Sequence, residues 1–285
     1  MKRLPRHWRW WAIAAVMVVA AILASQFLRP LRDAAGFDVP TARDAAKARA
    51  AFAQALDGHD AVPVGLEATR FLDRPGVIGL REGAGDCRGR GAYMLRAGDA
   101  RPLALVAPHR RSDRNTGTLA GLLFAEHRVA AAAWSSAPRR KGEGCSGGDP
   151  ARHFTHYLTA FSLAFADAHP QGRIVQLHGF ERTRRASSAA QLADIIVSDG
   201  TRTPGRRIFD LADCLSRSLA PMPVAVFPND VAELGALTNR QGQALRSEGF
   251  DGFVHLEMSA QLRASLVQDP ELRNALASCL MTGLG

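Results

Sequence analysis

Leu103 to His109 reads LALVAPH, Arg173 to His178 reads RIVQLH and Gly252 to Glu257 reads GFVHLE. Each is a short apolar run that ends on an ionisable residue. The runs are continuous rather than alternating, so both faces of each strand are covered. Val129 to Trp134 (VAAAAW) has the same character, and Ala193 to Val197 and Val224 to Phe227 read as further strands. Helical patterns fall between them, at Thr118 to His127, His153 to Ala168, Ile208 to Leu219 and Leu237 to Ser247. Ala260 to Leu280 reads as one closing helix, and Thr41 to Leu56 as an Ala-rich opening helix with a good N-cap. Strand and helix in alternation predict a three-layer α/β fold. Its central sheet is mostly parallel or mixed, with helices on both faces. GAYMLR (91–96), the turn Gly98-Asp99 and PLALV (102–106) read as a hairpin.

Composition agrees with a globular chain. Of 285 residues, 47% are hydrophobic and 22% charged, which excludes disorder as the main state. The net charge of +9 invites a nucleic-acid reading. Lys2, Arg3, Arg6 and Arg9 supply four of those charges from the first nine residues. No basic stripe with interleaved aromatics follows, so nucleic acid is not an expected partner. Trp10 to Ala24 is an unbroken apolar run behind that basic start. Residues 1–28 therefore read as a signal peptide or a signal anchor. Residues 29–40 read as a linker and 41–285 as a single α/β hydrolytic domain. The expected location is extracytoplasmic, periplasmic or secreted. The inner membrane is a partner if residues 10–28 stay attached. In an oxidising compartment Cys87, Cys145, Cys214 and Cys279 form an even set able to pair, with connectivity open.

No HExxH, Walker loop or SxxK is present. Gly83 and Gly85 begin a GxG without a third glycine at the right place and without a strand–helix frame. The ends of the apolar strands carry the chemistry instead, because ligands of open α/β sheets bind beyond the carboxyl ends of strands. His109, His178 and Glu257 arrive there from three strands. Two imidazoles and a carboxylate can hold Zn²⁺ with a position left for water. Asp113, four residues after His109, suits the third ligand; its alternative is to cap the following helix beside Ser112 and Thr116. Glu257 suits the general base; its alternative is an ion pair with Arg263. His255 shares a strand face with Glu257. His153 and His156 read as surface residues. Arg110, Arg111, Arg114, Asn239 and Arg263 are candidate substrate-binding residues.

The segments APHRRSDRNTGTLAGLLF (107–124), RIVQLHGF (173–180) and GFVHLEMSAQLR (252–263) resemble the N-formylglutamate amidohydrolase and poly-γ-glutamate hydrolase branch of zinc exopeptidases. The resemblance implies a carboxypeptidase-like fold, a zinc ion on His109, Asp113 and His178, and Glu257 as catalytic base. The first motif departs from the His-x-x-Glu of carboxypeptidases, because Asp113 lies four residues beyond His109. The expected function is exported, zinc-dependent hydrolysis of an amide bond in a small peptide-like or acidic substrate, glutamyl or wall-derived. The alternative is a catalytically inactive, membrane-anchored binding protein for acidic peptides or wall fragments on the same scaffold.

Overall fold

The computed structural model describes residues 36–71, 73–83, 86–142 and 145–284. The expected signal segment 1–28, most of the expected linker and Gly85 lie outside them. Among the described residues no helix is long and apolar enough to cross a membrane.

Helix α1 (Ala42–Leu56) starts at Thr41, whose hydroxyl accepts from Asp44 N–H. Three antiparallel strands follow: β1 (Leu66–Arg70), β2 (Val77–Glu82) and β3 (Ala92–Arg96). The alternating part of the chain then runs β4 (Arg101–Ala107), α2 (Thr116–Glu126), β5 (Val129–Trp134), α3 (Tyr157–Ala168) and β6 (Arg173–Phe180). It continues through α4 (Ser188–Leu192), β7 (Ile195–Ser198), α5 (Arg206–Ser218), β8 (Val224–Val226), α6 (Arg240–Ser247) and β9 (Phe253–Ser259). Helices α7 (Ala260–Gln268) and α8 (Pro270–Met281) close it.

The strands form one mixed sheet in the order β1-β2-β3-β5-β4-β6-β9-β7-β8. Its middle, β5-β4-β6-β9, is parallel. Helices α2, α5, α7 and α8 cover one face, and α1, α3 and α6 the other. On the second face Phe52 of α1 sits against Tyr93 of β3, ring centroids 4.5 Å apart, and edge-on to Phe161 of α3 at 5.6 Å. Aromatic pairs at these distances add to the area they bury.

Three local expectations are corrected. GAYMLR and PLALV do not form a hairpin, because β5 inserts between them. The continuous burial of β4 marks a central strand, and the parallel neighbours it needs come from later in the chain. The helix expected at His153 starts only at Tyr157, with His156 as its N-cap. The closing helix is two helices. Asp269 ends the first and caps the second by accepting from Glu271 and Leu272 N–H, and Pro270 lacks the N–H that continuation requires.

Both cysteine pairs are joined, Cys87 with Cys145 between two loops and Cys214 with Cys279 between α5 and α8. Two disulfides fit an oxidising, extracytoplasmic environment. The topology places β4, β6 and β9 side by side. Their carboxyl ends open on one edge of the sheet, where His109, His178 and Glu257 lie.

Candidate metal centre

Past β4 the chain makes a tight turn in which His109 C=O accepts from Ser112 N–H at 2.9 Å and from Asp113 N–H at 2.7 Å. Residues four apart in a helical turn share a face. His109 and Asp113 therefore point the same way, toward His178 on β6. The cap of α2 is Asn115, in the left-handed region, so Asp113 is not spent on capping. Its carboxylate turns inward, where Oδ2 also accepts from Gly179 N–H at 3.2 Å.

Three atoms converge there. His109 Nδ1 and His178 Nδ1 are 3.3 Å apart. Asp113 Oδ2 lies 3.2 Å from His178 Nδ1 and 3.5 Å from His109 Nδ1. A tetrahedral ion with arms of about 2.0–2.1 Å needs ligand atoms about 3.3–3.4 Å apart. The triangle's edges, 3.2, 3.3 and 3.5 Å, lie close to that length.

The partners of the opposite ring nitrogens match one tautomer. His109 Nε2 donates to Asp149 Oδ1 at 2.7 Å. His178 Nε2 faces Gln176 Oε1 at 3.3 Å, an oxygen that also accepts from Asn239 Nδ2 at 2.7 Å. Gln176 Nε2 in turn donates to Gln241. With hydrogen on both Nε2 atoms, both Nδ1 lone pairs face a carboxylate oxygen. In that tautomer the three facing atoms are all acceptors, a set that a cation would satisfy. The acceptors behind the histidines are of the kind that orients metal-bound imidazoles.

Burial opposes ionisation of Asp113, yet His109 and His178 hold its carboxyl well below the usual range. Asp149 is held low in the same way, burial being outweighed by His109 and then Arg139. Burial also works against charge on His109, but Asp113 and Asp149 raise its pKa. At His178 burial prevails and the pKa falls. A carboxylate of low pKa and a neutral imidazole are the protonation states a metal requires.

Glu257 stands on β9 in register with His178. Burial, and then the charge of Asp113, push its carboxyl up to about 8. Its Oε2 has no hydrogen-bond partner. His255 Nε2 is 3.7 Å from Oε1, too long for a hydrogen bond, and burial followed by the charges of His178 and His109 keeps His255 neutral. His178, His255 and Glu257 form a second cluster with ligand atoms within 4.8 Å of one another. The centre opens on a cavity of about 230 Å³ walled by His109, His178, Glu257, Asn239, Arg139 and Arg152. A larger cavity, about 650 Å³, lies at the opposite ends of the strands around Arg173, Arg207 and Phe253. Among the described residues it holds no cluster of metal-ligating groups, so the smaller one is the candidate site.

The substrate-binding candidates fare unevenly. Asn239 lines the cavity, but its Oδ1 caps α6 through Gly242 N–H at 2.9 Å and its Nδ2 supports Gln176. Arg110 lies over the Trp134 ring at 5.9 Å, and neither it nor the exposed Arg111 and Arg114 walls the cavity. Arg263 is buried away from it. Nη1 donates to Arg114 C=O at 3.1 Å and Nε to Ser259 C=O at 3.3 Å, so it braces the turn that carries Asp113. It lies so close over Gly179 that a Cβ there would meet Nη1 at 1.7 Å. Its guanidinium is 4.0 Å from Glu181 and forms no ion pair with Glu257. Cavity charge comes instead from Arg139 and Arg152, which pair through Nε with Asp149 Oδ2 at 3.0 and 3.5 Å. Asp149 is the residue sequence reasoning missed. Asp-Pro after a Gly-rich stretch signals a capped turn, which forms at Pro150–Arg152. Nothing local signals its reach to a histidine 40 residues earlier. His156, expected on the surface, is 1% exposed.

No family model matches the sequence, and no curated protein matches it. Among solved structures, a bacteriophage poly-γ-glutamate hydrolase superposes with a TM-score of 0.43 at 11% identity, over 66% of this chain and 86% of its own. An aspartoacylase-family protein from Mesorhizobium loti gives 0.42 at 15% identity, over 76% of this chain and 70% of its own.

Proposed function

We propose that the protein is an exported, zinc-dependent hydrolase of amide bonds, of the N-formylglutamate amidohydrolase and poly-γ-glutamate hydrolase kind. The observation that carries this is the triangle of His109 Nδ1, Asp113 Oδ2 and His178 Nδ1, sized for one divalent ion and backed by Asp149 and Gln176. Two imidazoles and one carboxylate suit zinc at a catalytic site. The same donor set serves Fe(II) in oxygenases. The unpartnered carboxyl of Glu257 beside the triangle favours hydrolysis.

A divalent ion there supplies a Lewis acid that polarises a carbonyl and eases deprotonation of water. Glu257 takes the proton of the attacking water on its free Oε2 and returns it to the departing amine. A carboxyl whose pKa is raised to about 8, within about a unit of neutrality, can both take and release a proton. Asp149 and Gln176 hold the two imidazoles in the tautomer that presents Nδ1. Arg139 and Arg152 give the cavity wall positive charge, which suits an acidic substrate such as a glutamyl amide or a wall-derived peptide. The basic, apolar N-terminus and the paired cysteines support export.

The test is hydrolysis of N-acylglutamates and γ-glutamyl peptides by the full chain. Activity is expected to vanish with a chelator, return with Zn²⁺, and fall by about 10²–10⁴ in Glu257→Gln. Hydrolysis that ignores the chelator, or that survives in Glu257→Gln, contradicts the proposal.

A further inference from the structure

The stretch between β5 and Pro150 runs from residue 135 to 149 and delivers both Arg139 and Asp149 to the centre. Among its described residues the only regular pairing is an isolated bridge between Gly142 and Cys145. A loop of that length keeps one shape only if it is tied down. Near its start Ser136 Oγ meets the Glu82 carboxylate and accepts from Gly91 N–H at 2.9 Å. Near its end Gly148 N–H donates to Pro138 C=O at 2.9 Å, and Ser146 Oγ accepts from Phe37 N–H at 2.7 Å. One further tie is covalent. Cys145, four residues before Asp149 and 3% exposed, is bonded to Cys87. The loop of Cys87 is fixed to the end of β2, where buried Glu82 accepts from Arg88 N–H and from Arg90 N–H at 2.9 Å. One disulfide thus fastens the segment carrying Asp149 to the sheet. Asp149 in turn fixes His109 Nε2 at 2.7 Å.

We infer that the Cys87–Cys145 disulfide sets how tightly the centre holds its metal, acting through Asp149. The inference rests on the metal-centre reading above. In reduction by a dithiol, Cys87 and Cys145 each gain one electron and one proton to become thiols, while the dithiol closes into its own disulfide. The 135–149 segment then keeps its hydrogen bonds and the ion pairs of Asp149 with Arg139 and Arg152, but loses its covalent tie to the sheet, and Asp149 holds the ring of His109 less firmly. Loss of such an acceptor weakens metal binding about 10–100-fold. The second disulfide has no such reach. Cys214 and Cys279 join α5 to α8 beside Arg173, at the far end of β6 from His178. The centre therefore loads fully only where thiols are oxidised.

The test is competition for Zn²⁺ between the full chain and a chromogenic chelator. Cys87→Ser/Cys145→Ser is expected to bind about 10–100-fold more weakly than wild type. Cys214→Ser/Cys279→Ser should stay within about twofold, since that pair does not touch the residues behind the ligands. Asp149→Asn should match the first loss, and adding it to Cys87→Ser/Cys145→Ser should weaken binding no further. Limited reduction of folded wild type gives the same comparison from a chain that folded oxidised. Iodoacetamide traps the thiols, and the doubly alkylated species separated by chromatography is the one that peptide mapping shows modified at Cys87 and Cys145. Wild-type affinity without this disulfide, or losses that multiply, overturns the inference alone. A wild type that binds no Zn²⁺ overturns the metal-centre reading itself.

Discussion

Replacing Glu257 by Gln should stabilise the metal-free protein, although it removes the proposed base. The carboxyl is buried, Oε2 has no partner, and its pKa is pushed up to about 8 from its ordinary value of 4.5. Between those values the folded state keeps a proton that the unfolded state gives up. Stability therefore falls as pH rises from about 4.5 to about 8. At pH 7 the unfolded chain is ionised about 2.5 pH units past its pKa, while the folded chain is still mostly protonated. At about 1.4 kcal/mol per unit, the wild type is about 3 kcal/mol less stable than it would be with a neutral isostere. Gln is that isostere. For a domain of this size the gain amounts to about 6–12 °C in melting temperature. It should shrink to under about 1 kcal/mol at pH 5 and grow to about 5 kcal/mol near pH 9. Thermal and urea unfolding of both proteins in a chelator, at pH 5, 7 and 9, measures it. A gain that is absent, or equal at all three pH values, refutes the description of Glu257 as a buried, uncompensated acid.

Other consequences are as direct. His156 caps α3 by accepting from Leu158 N–H at 3.1 Å, and burial pushes its pKa down to about 3. The folded state thus refuses a proton that the unfolded chain takes below about pH 6.5, so stability falls with acid, by about 2 kcal/mol at pH 5. His156→Asn keeps a capping oxygen and should remove that acid dependence, read from urea midpoints at pH 5 and 7. Phe52→Ala should cost about 3–5 kcal/mol, because the ring is fully buried against Tyr93 and Phe161; a loss under about 1 kcal/mol by urea unfolding would contradict the packing described.

The centre was legible where its residues end apolar strands. LALVAPH, RIVQLH and GFVHLE each place an ionisable group where burial is expensive, and the sheet order brings the three together. The place of Asp113 beside the two histidines was legible from its spacing, and the N-cap position of α2 is Asn115, whose left-handed backbone no pattern announces. The false hairpin came from reading a local turn, Gly98-Asp99, as decisive. Residues 102–106 are apolar on both faces, which already spoke for a central strand and against an outer hairpin. Pro270 marked the break between α7 and α8 in plain sight. Asp149 was out of reach, because its loop has no periodicity and its partner is distant in sequence. The Arg110, Arg111 and Arg114 run drew attention by composition, whereas the cavity took Arg139 and Arg152, placed by a loop that a disulfide and a capped turn shape.

The central claim is that His109, Asp113 and His178 hold one metal ion. Metal content by mass spectrometry tests it on the full chain and on the His109→Ala/His178→Ala variant, after both are offered Zn²⁺ at neutral pH and desalted. About one ion per wild-type chain and none in the variant is the predicted result. No metal in the wild type, or equal metal in both, would contradict it.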